Sequence, residues 1–116
     1  MRLSADALHQ QVRLIVSRGV DDEAGGEGPA QDIPIDTVWA GVENTGRRVL
    51  TTGGDEMQAT HKVLIYHRTD IKNGNIVELD LDLPADQRRR LLVLTVGDPD
   101  NRRTWTLLTC QEGGHE

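Results

Sequence analysis

The sequence predicts an all-β protein, a small antiparallel β-barrel or sandwich of about six strands with long loops and little helix. Three observations support that class. Short runs alternate apolar and polar residues with period two, as strands with one buried face do. Gly, Asn, Asp and Pro gather between those runs, where turns need them. No long stretch carries the 3.6-residue repeat of an amphipathic helix. The chain has 116 residues, so it forms one domain, 1–116, and is too short for two independent cores.

Residues 1–10 read as an N-terminal arm, and Ser4 is placed to cap a short helical turn over Ser4–Gln11. From Gln11 to Arg18, Val12, Leu14 and Val16 share one face, against Arg13, Ile15 and Ser17. Residues 19–31 (GVDDEAGGEGPAQ) are acidic and glycine-rich, with no face to bury, and read as a flexible loop. A second strand is expected from about Ile35 to Glu43, with Val38, Ala40 and Val42 on one face and Trp39 on the other. Pro34 belongs at its start or on an edge, since proline donates nothing to a ladder. Residues 44–59 form a second long connection, within which Val49–Thr52 is β-prone.

A third strand runs from His61 to Arg68 and is followed by the turn signal Asn73-Gly74. Val77, Leu79, Leu81 and Leu83 then alternate with Glu78, Asp80 and Asp82 until Pro84. Leu91–Val96 and Thr104–Gln111 make the last hairpin, across Gly97–Asn101, and 112–116 is a polar tail. The alternation predicts that Val12, Leu14, Val38, Val42, Val63, Ile65, Leu92, Leu94 and Leu107 are mostly buried.

Composition limits the function. Aromatic residues are 3 % of the chain, two Trp and one Tyr with no Phe, and the formal net charge is −6. An acidic chain of this kind is not expected to read nucleic acid, whose affinity comes from cationic contacts to phosphate. It is equally unsuited to an anionic membrane surface, and no apolar run has the length of a membrane span. The single cysteine, Cys110, cannot form an internal disulfide, so a cytoplasmic setting and a core thiol are expected.

The residues give no chemistry to build on. The histidines are His9, His61, His67 and His115; only His61 and His67 share a strand face, too far apart to share an ion. No serine or cysteine sits in a nucleophile motif, and the acid pairs lie in loops, where carboxylates are solvated. Gly25-Gly26 and Gly53-Gly54 lack the Lys and hydroxyl of a phosphate-binding loop. No catalytic residue, metal or cofactor is therefore expected. The clusters Arg88-Arg89-Arg90 and Arg102-Arg103 read as solvated turn charges or as partners for an acidic surface on a neighbouring subunit.

Taken in order, QVRLIVSR, a Gly/Asp-rich loop, TVWAGVE, TGRR, THKVLIYHRTDIKNG and VGDPDNRRTWTLLTCQE resemble the head-tail joining (head-closure, or stopper) family of tailed bacteriophages. The resemblance spans Leu8 to Glu112 in outline, with Thr37–Glu43 and Thr60–Asp70 the most specific pieces. The segment after the "DI" turn departs from relatives, which often carry a short hairpin with Gly and an aromatic residue there.

That resemblance implies a non-enzymatic neck protein of the virion, made in the host cytoplasm. It would form a ring, usually of twelve copies, beneath the portal and adaptor proteins. The ring would retain double-stranded DNA, which passes without sequence reading, and would dock the tail terminator or tail tube. An acidic channel suits this role, because a negative wall lets a polyanion slide. The gating loop would comprise Arg47, Arg48, Val49, Leu50, Thr51, Thr52, Gly53 and Gly54, and the subunit contacts Arg88, Arg89, Arg90, Arg102 and Arg103. The alternatives are a tail terminator or tail-side adaptor of the same neck, or a free-standing β-barrel binding module.

Overall fold

Six of the alternating runs pair edge to edge until the last meets the first. The computed structural model describes residues 3–18, 31–46, 48–50 and 56–112. The strands are β1 (Gln10–Arg18), β2 (Gln31–Asn44), β3 (Arg48–Leu50), β4 (Glu56–Gln58), β5 (His61–Tyr66), β6 (Ile76–Glu78), β7 (Arg90–Gly97) and β8 (Trp105–Glu112). A closed antiparallel barrel runs β1-β2-β5-β8-β7-β6, and β3-β4 form a separate two-stranded ribbon. Among the described residues, helix is limited to two single 3₁₀ turns, Ala5–Ala7 and Ala85–Gln87. The sequence-based expectation of a small all-β barrel with little helix is met.

Inward residues of every barrel strand fill the lumen. Val12, Leu14, Ala40, Val63, Ile65, Val77, Leu91, Val93, Leu108 and Cys110 form one core, joined by Ile71 and Leu79 from connections. Each large aliphatic side chain buried this way contributes about 1.5–3 kcal/mol. Val38 and Val42 are half-buried and pack against this core. Cys110 is a core thiol, which burial pushes up to about 12.

Several expectations need correction. The second strand begins at Gln31, not Ile35, because β1 continues to Arg18 and pairs with it throughout. The ladder absorbs Pro34 at an irregularity: Ile15 faces Pro34 while Leu14 faces Asp36, leaving Ile35 unpaired. Leu14 and Ile15 are both buried, but only Leu14 belongs to the core cluster. The long alternation after Asn73-Gly74 yields only the three residues of β6. At Leu79 the chain leaves the sheet, its N–H bonding the Arg89 carbonyl at 2.8 Å, and Asp80 turns it with φ 57°.

The buried face of the last hairpin also differs. Leu91, Val93, Leu108 and Cys110 face the core, whereas Leu92 and Leu107 are half-buried on the outer wall. A register shift between Val93 and Thr95 buries Leu94 as well. Residues 19–30 and 113–116 lie outside the described residues, so the expected loop over 19–31 and the end of the tail 112–116 are not described. Gln31 and Glu112 themselves belong to strands.

The N-terminal arm lies across the outer wall of β2. The His9 N–H bonds the Ala40 carbonyl at 3.1 Å. A Cβ at Gly41 would stand 2.5 Å from the Ala7 carbonyl oxygen, so the arm can lie this close only over glycine. The expected turn is present as Ala5–Ala7, but the Ser4 side chain makes no capping bond.

His61 is 6 % exposed at one barrel end. Its Nδ1 lies 2.9 Å from Thr60 Oγ1 and its Nε2 3.6 Å from Glu112. Burial lowers its pKa below the ordinary 6.5, outweighing the attraction of Glu112. The unfolded chain therefore takes up a proton that the folded chain resists. This contribution to stability is complete above about pH 6.5 and is lost as pH falls toward the folded value. Urea unfolding at pH 7.5 and 5.5 is expected to show a less stable wild type at 5.5 and a flatter dependence for His61→Gln. Equal slopes for the two proteins would contradict this assignment.

Candidate assembly surfaces

The ribbon β3-β4 lies within 44–59, the connection read from sequence as structureless. Arg48, Val49 and Leu50 pair with Gln58, Met57 and Glu56, and Arg48 Nη1 reaches Glu56 Oε1 at 3.2 Å. Its base is fixed. Thr45 N–H bonds the Thr60 carbonyl at 2.8 Å, Thr60 N–H bonds the Cys110 carbonyl at 2.9 Å, and Ala59 is fully buried. Arg48, Glu56 and Gln58 are exposed. Of the expected gating residues, Arg48, Val49 and Leu50 form β3, while Arg47, Thr51, Thr52, Gly53 and Gly54 lie outside the described residues. Among the described residues β3 and β4 pair only with each other, so their outer edges keep free backbone groups.

The first arginine cluster is engaged within its own chain. Glu78 is 2 % exposed, directly across from Arg13 on β1 and Arg90 on β7. Its carboxylate meets Arg13 at 3.6 Å and both Arg88 and Arg90 at 3.3 Å. Arg88 also donates to the carbonyls of Leu83 at 2.8 Å and Leu81 at 3.1 Å, tying the connection after β6 to the wall. Arg89 binds Asp80 at 2.7 Å, a hydrogen bond that holds the Asp80 carboxyl below its usual range. Arg90 further reaches Asp32 at 3.2 Å. The sequence shows the three arginines but not their carboxylate centre, because Glu78 reads as the solvent-facing position of an alternating strand.

At the opposite end of the barrel, Arg68 bridges Asp36 at 2.6 Å and Asp70 at 2.7 Å. Those hydrogen bonds hold both carboxyls below the usual range and push the Arg68 guanidinium further up. Arg102 and Arg103 occupy the β7–β8 turn at this end and are exposed. Their backbone N–H groups bond the side chains of Asp100 at 3.2 Å and Asp98 at 2.9 Å. Among the described residues, no carboxylate pairs with either guanidinium.

All three aromatic residues lie on one side of the barrel, on the successive strands β2, β5 and β8. Tyr66 stacks on Trp105 with ring centroids 5.1 Å apart and planes 13° from parallel. Trp39 and Tyr66 are 53 % and 55 % exposed. The alternation marks Trp39 and Tyr66 as outward, but the strand adjacency that gathers them is not written locally. Among the described residues, no cluster of three His, Cys, Asp or Glu could hold a metal ion.

The chain matches the model of the phage head completion protein family over residues 3–113, and it belongs to that family. The protein is thus a structural component of the virion with a role in head closure. The solution structure of protein SF1141 from Shigella flexneri 2a has the same fold, with a TM-score of 0.66 at 19 % identity over 94 % of this chain and 96 % of that one. No curated protein sequence matches the chain.

Glu78 closes the barrel where its shortest strand joins β1 and β7. Glu78→Gln removes the anion shared by three guanidinium groups, and urea denaturation is expected to show a loss of about 1.5–3 kcal/mol. Arg90→Gln, which leaves two arginines on Glu78, is expected to cost less. Equal or negligible effects from both would show that this cluster does not hold β6.

Proposed function

We propose that the protein acts at the phage neck as a head-closure protein, a ring of copies beneath the portal and adaptor that retains packaged DNA and docks the tail. One observation carries the reading: the ribbon Arg48–Leu50 with Glu56–Gln58, anchored at its base and paired only with itself. It stands on the closed barrel, outside the six-stranded sheet. In such a ring the ribbons add strand to strand across neighbouring copies and narrow the channel, while Arg47 and Arg48 supply charge near the DNA backbone. The net charge of −6 keeps the remainder of the wall from holding DNA in place. Exposed Arg102 and Arg103 face the next copy, whereas Arg88, Arg89 and Arg90 reach it only through the charge left over from their internal pairs. The protein would be made in the host cytoplasm and meet the tail terminator or tail tube in the finished virion.

The test replaces Arg48 to Glu56 by a brief Gly-Ser linker and follows assembly and DNA retention separately. Rings are expected on the portal as before, with filled heads that leak DNA. Full retention in shortened-ribbon particles would remove the gate from this account and leave docking alone.

A further inference from the structure

Trp39 is a large exposed apolar residue on a protein with few aromatics, and it stands between two grooves. One, of about 300 Å³, is lined by Ala5, Leu8, Trp39 and Tyr66. The other, of about 350 Å³, runs from Gln10 and Gln11 past Trp39 to Asp80, Leu81 and Asp82. Asp80 is engaged by Arg89, but among the described residues Asp82 has no cationic partner. An indole face beside an unneutralised carboxylate is a receptor for a guanidinium, which stacks on the ring and pairs with the acid.

The same chain carries the matching group. In the β7–β8 turn, Asn101 and Arg103 adopt the left-handed conformation, at φ 58° and 57°. Asp98 and Asp100 side chains hold the backbone there. The left-handed region disfavours residues that carry a Cβ, so the turn holds Asn101 and Arg103 there at a backbone cost, with Arg102 and Arg103 exposed.

We infer that the groove formed by Trp39 and Asp82 receives the Arg102–Arg103 turn of a second copy of this chain. Neither groove has a residue of that turn in its lining. Asp82 follows β6 at the barrel end that holds Gln10 and His61, whereas the turn joins β7 to β8 at the end that holds Tyr66 and Trp105. A copy therefore offers its turn outward and not to its own groove. Because the mating surfaces are different and lie at different places on the molecule, the contact can repeat head-to-tail, which closes into a ring where the rotation per copy permits. Aromatic and arginine side chains at its centre are the types that carry interface energy. The inference rests on the ring reading for its biological setting, but its test uses the purified full chain and needs neither DNA nor the ribbon.

Sedimentation and the Trp indole N–H signals are followed as protein concentration is raised. Wild type is expected to self-associate, with the Trp39 signal moving more than that of stacked Trp105. Asp82→Arg alone, or Arg102→Asp with Arg103→Asp, is expected to weaken association about tenfold or more. Mixing those two charge-reversed proteins is expected to restore binding between them. All the changed side chains are exposed, and unchanged melting temperatures will confirm that each variant folds. Wild type that stays monomeric at millimolar concentration, or association indifferent to either reversal, would overturn the inference. So would Trp39→Ala blocking attachment to portal complexes while self-association persists, which would assign the groove to another neck protein. Loss of DNA retention on shortening the ribbon is a separate readout that this contact does not move.

Discussion

β1 holds the molecule together, because its backbone pairs β2 along nine residues and then pairs β6 along three. The second pairing closes the sheet on itself. An open six-stranded sheet would leave two edges of unpaired N–H and C=O groups and an apolar face half in water. Closure removes both liabilities for a chain whose hydrophobic share is 36 % and which has no Phe to fill gaps. The weakest point of that closure is β6, only three residues long. Glu78 reinforces it, with a cation on each neighbouring strand and a third on the connection that follows.

Closure also sorts the surfaces. One end of the barrel carries the ribbon β3-β4, held by hydrogen bonds from Thr45 and Thr60. The other carries the Arg68 carboxylate bridge and the strained Arg102–Arg103 turn. Between them, the outer wall bears Trp39 and Tyr66, over the buried Leu64 and beside the arm that Gly41 admits. In the proposed ring, these unlike ends would face different neighbours. Belonging to the phage head completion family gives that geometry its setting.

Much of this was legible in the residues, and the rest was hidden for physical reasons. Val12 and Leu14 were readable because Arg13 separates them, whereas Val63 and Ile65 lie in a run in which Leu64 between them is buried too. Leu91–Leu94 were not, since four apolar residues in succession carry no parity; the partner register, Leu91 with Glu112 and Val93 with Cys110, decides the face. The run from Val77 to Leu83 alternates as a strand should, yet Arg88 and Arg89 hold its second half in a turn through contacts five to nine residues distant, which the alternation does not display. Short β3 and β4 were concealed by their glycine-rich surroundings, although Val49–Leu50 was marked as β-prone. Family resemblance reached the head-closure role, whereas the aromatic row needed the order of the strands.

The claim on which the account turns is the placement of the ribbon in the virion. An electron cryomicroscopy map of the head-tail junction in filled particles measures it directly. The account expects a ring of these barrels below the portal, with every β3-β4 ribbon directed at the channel axis and in contact with its neighbours. Barrels whose ribbons point outward, or a junction that lacks this protein, would contradict it.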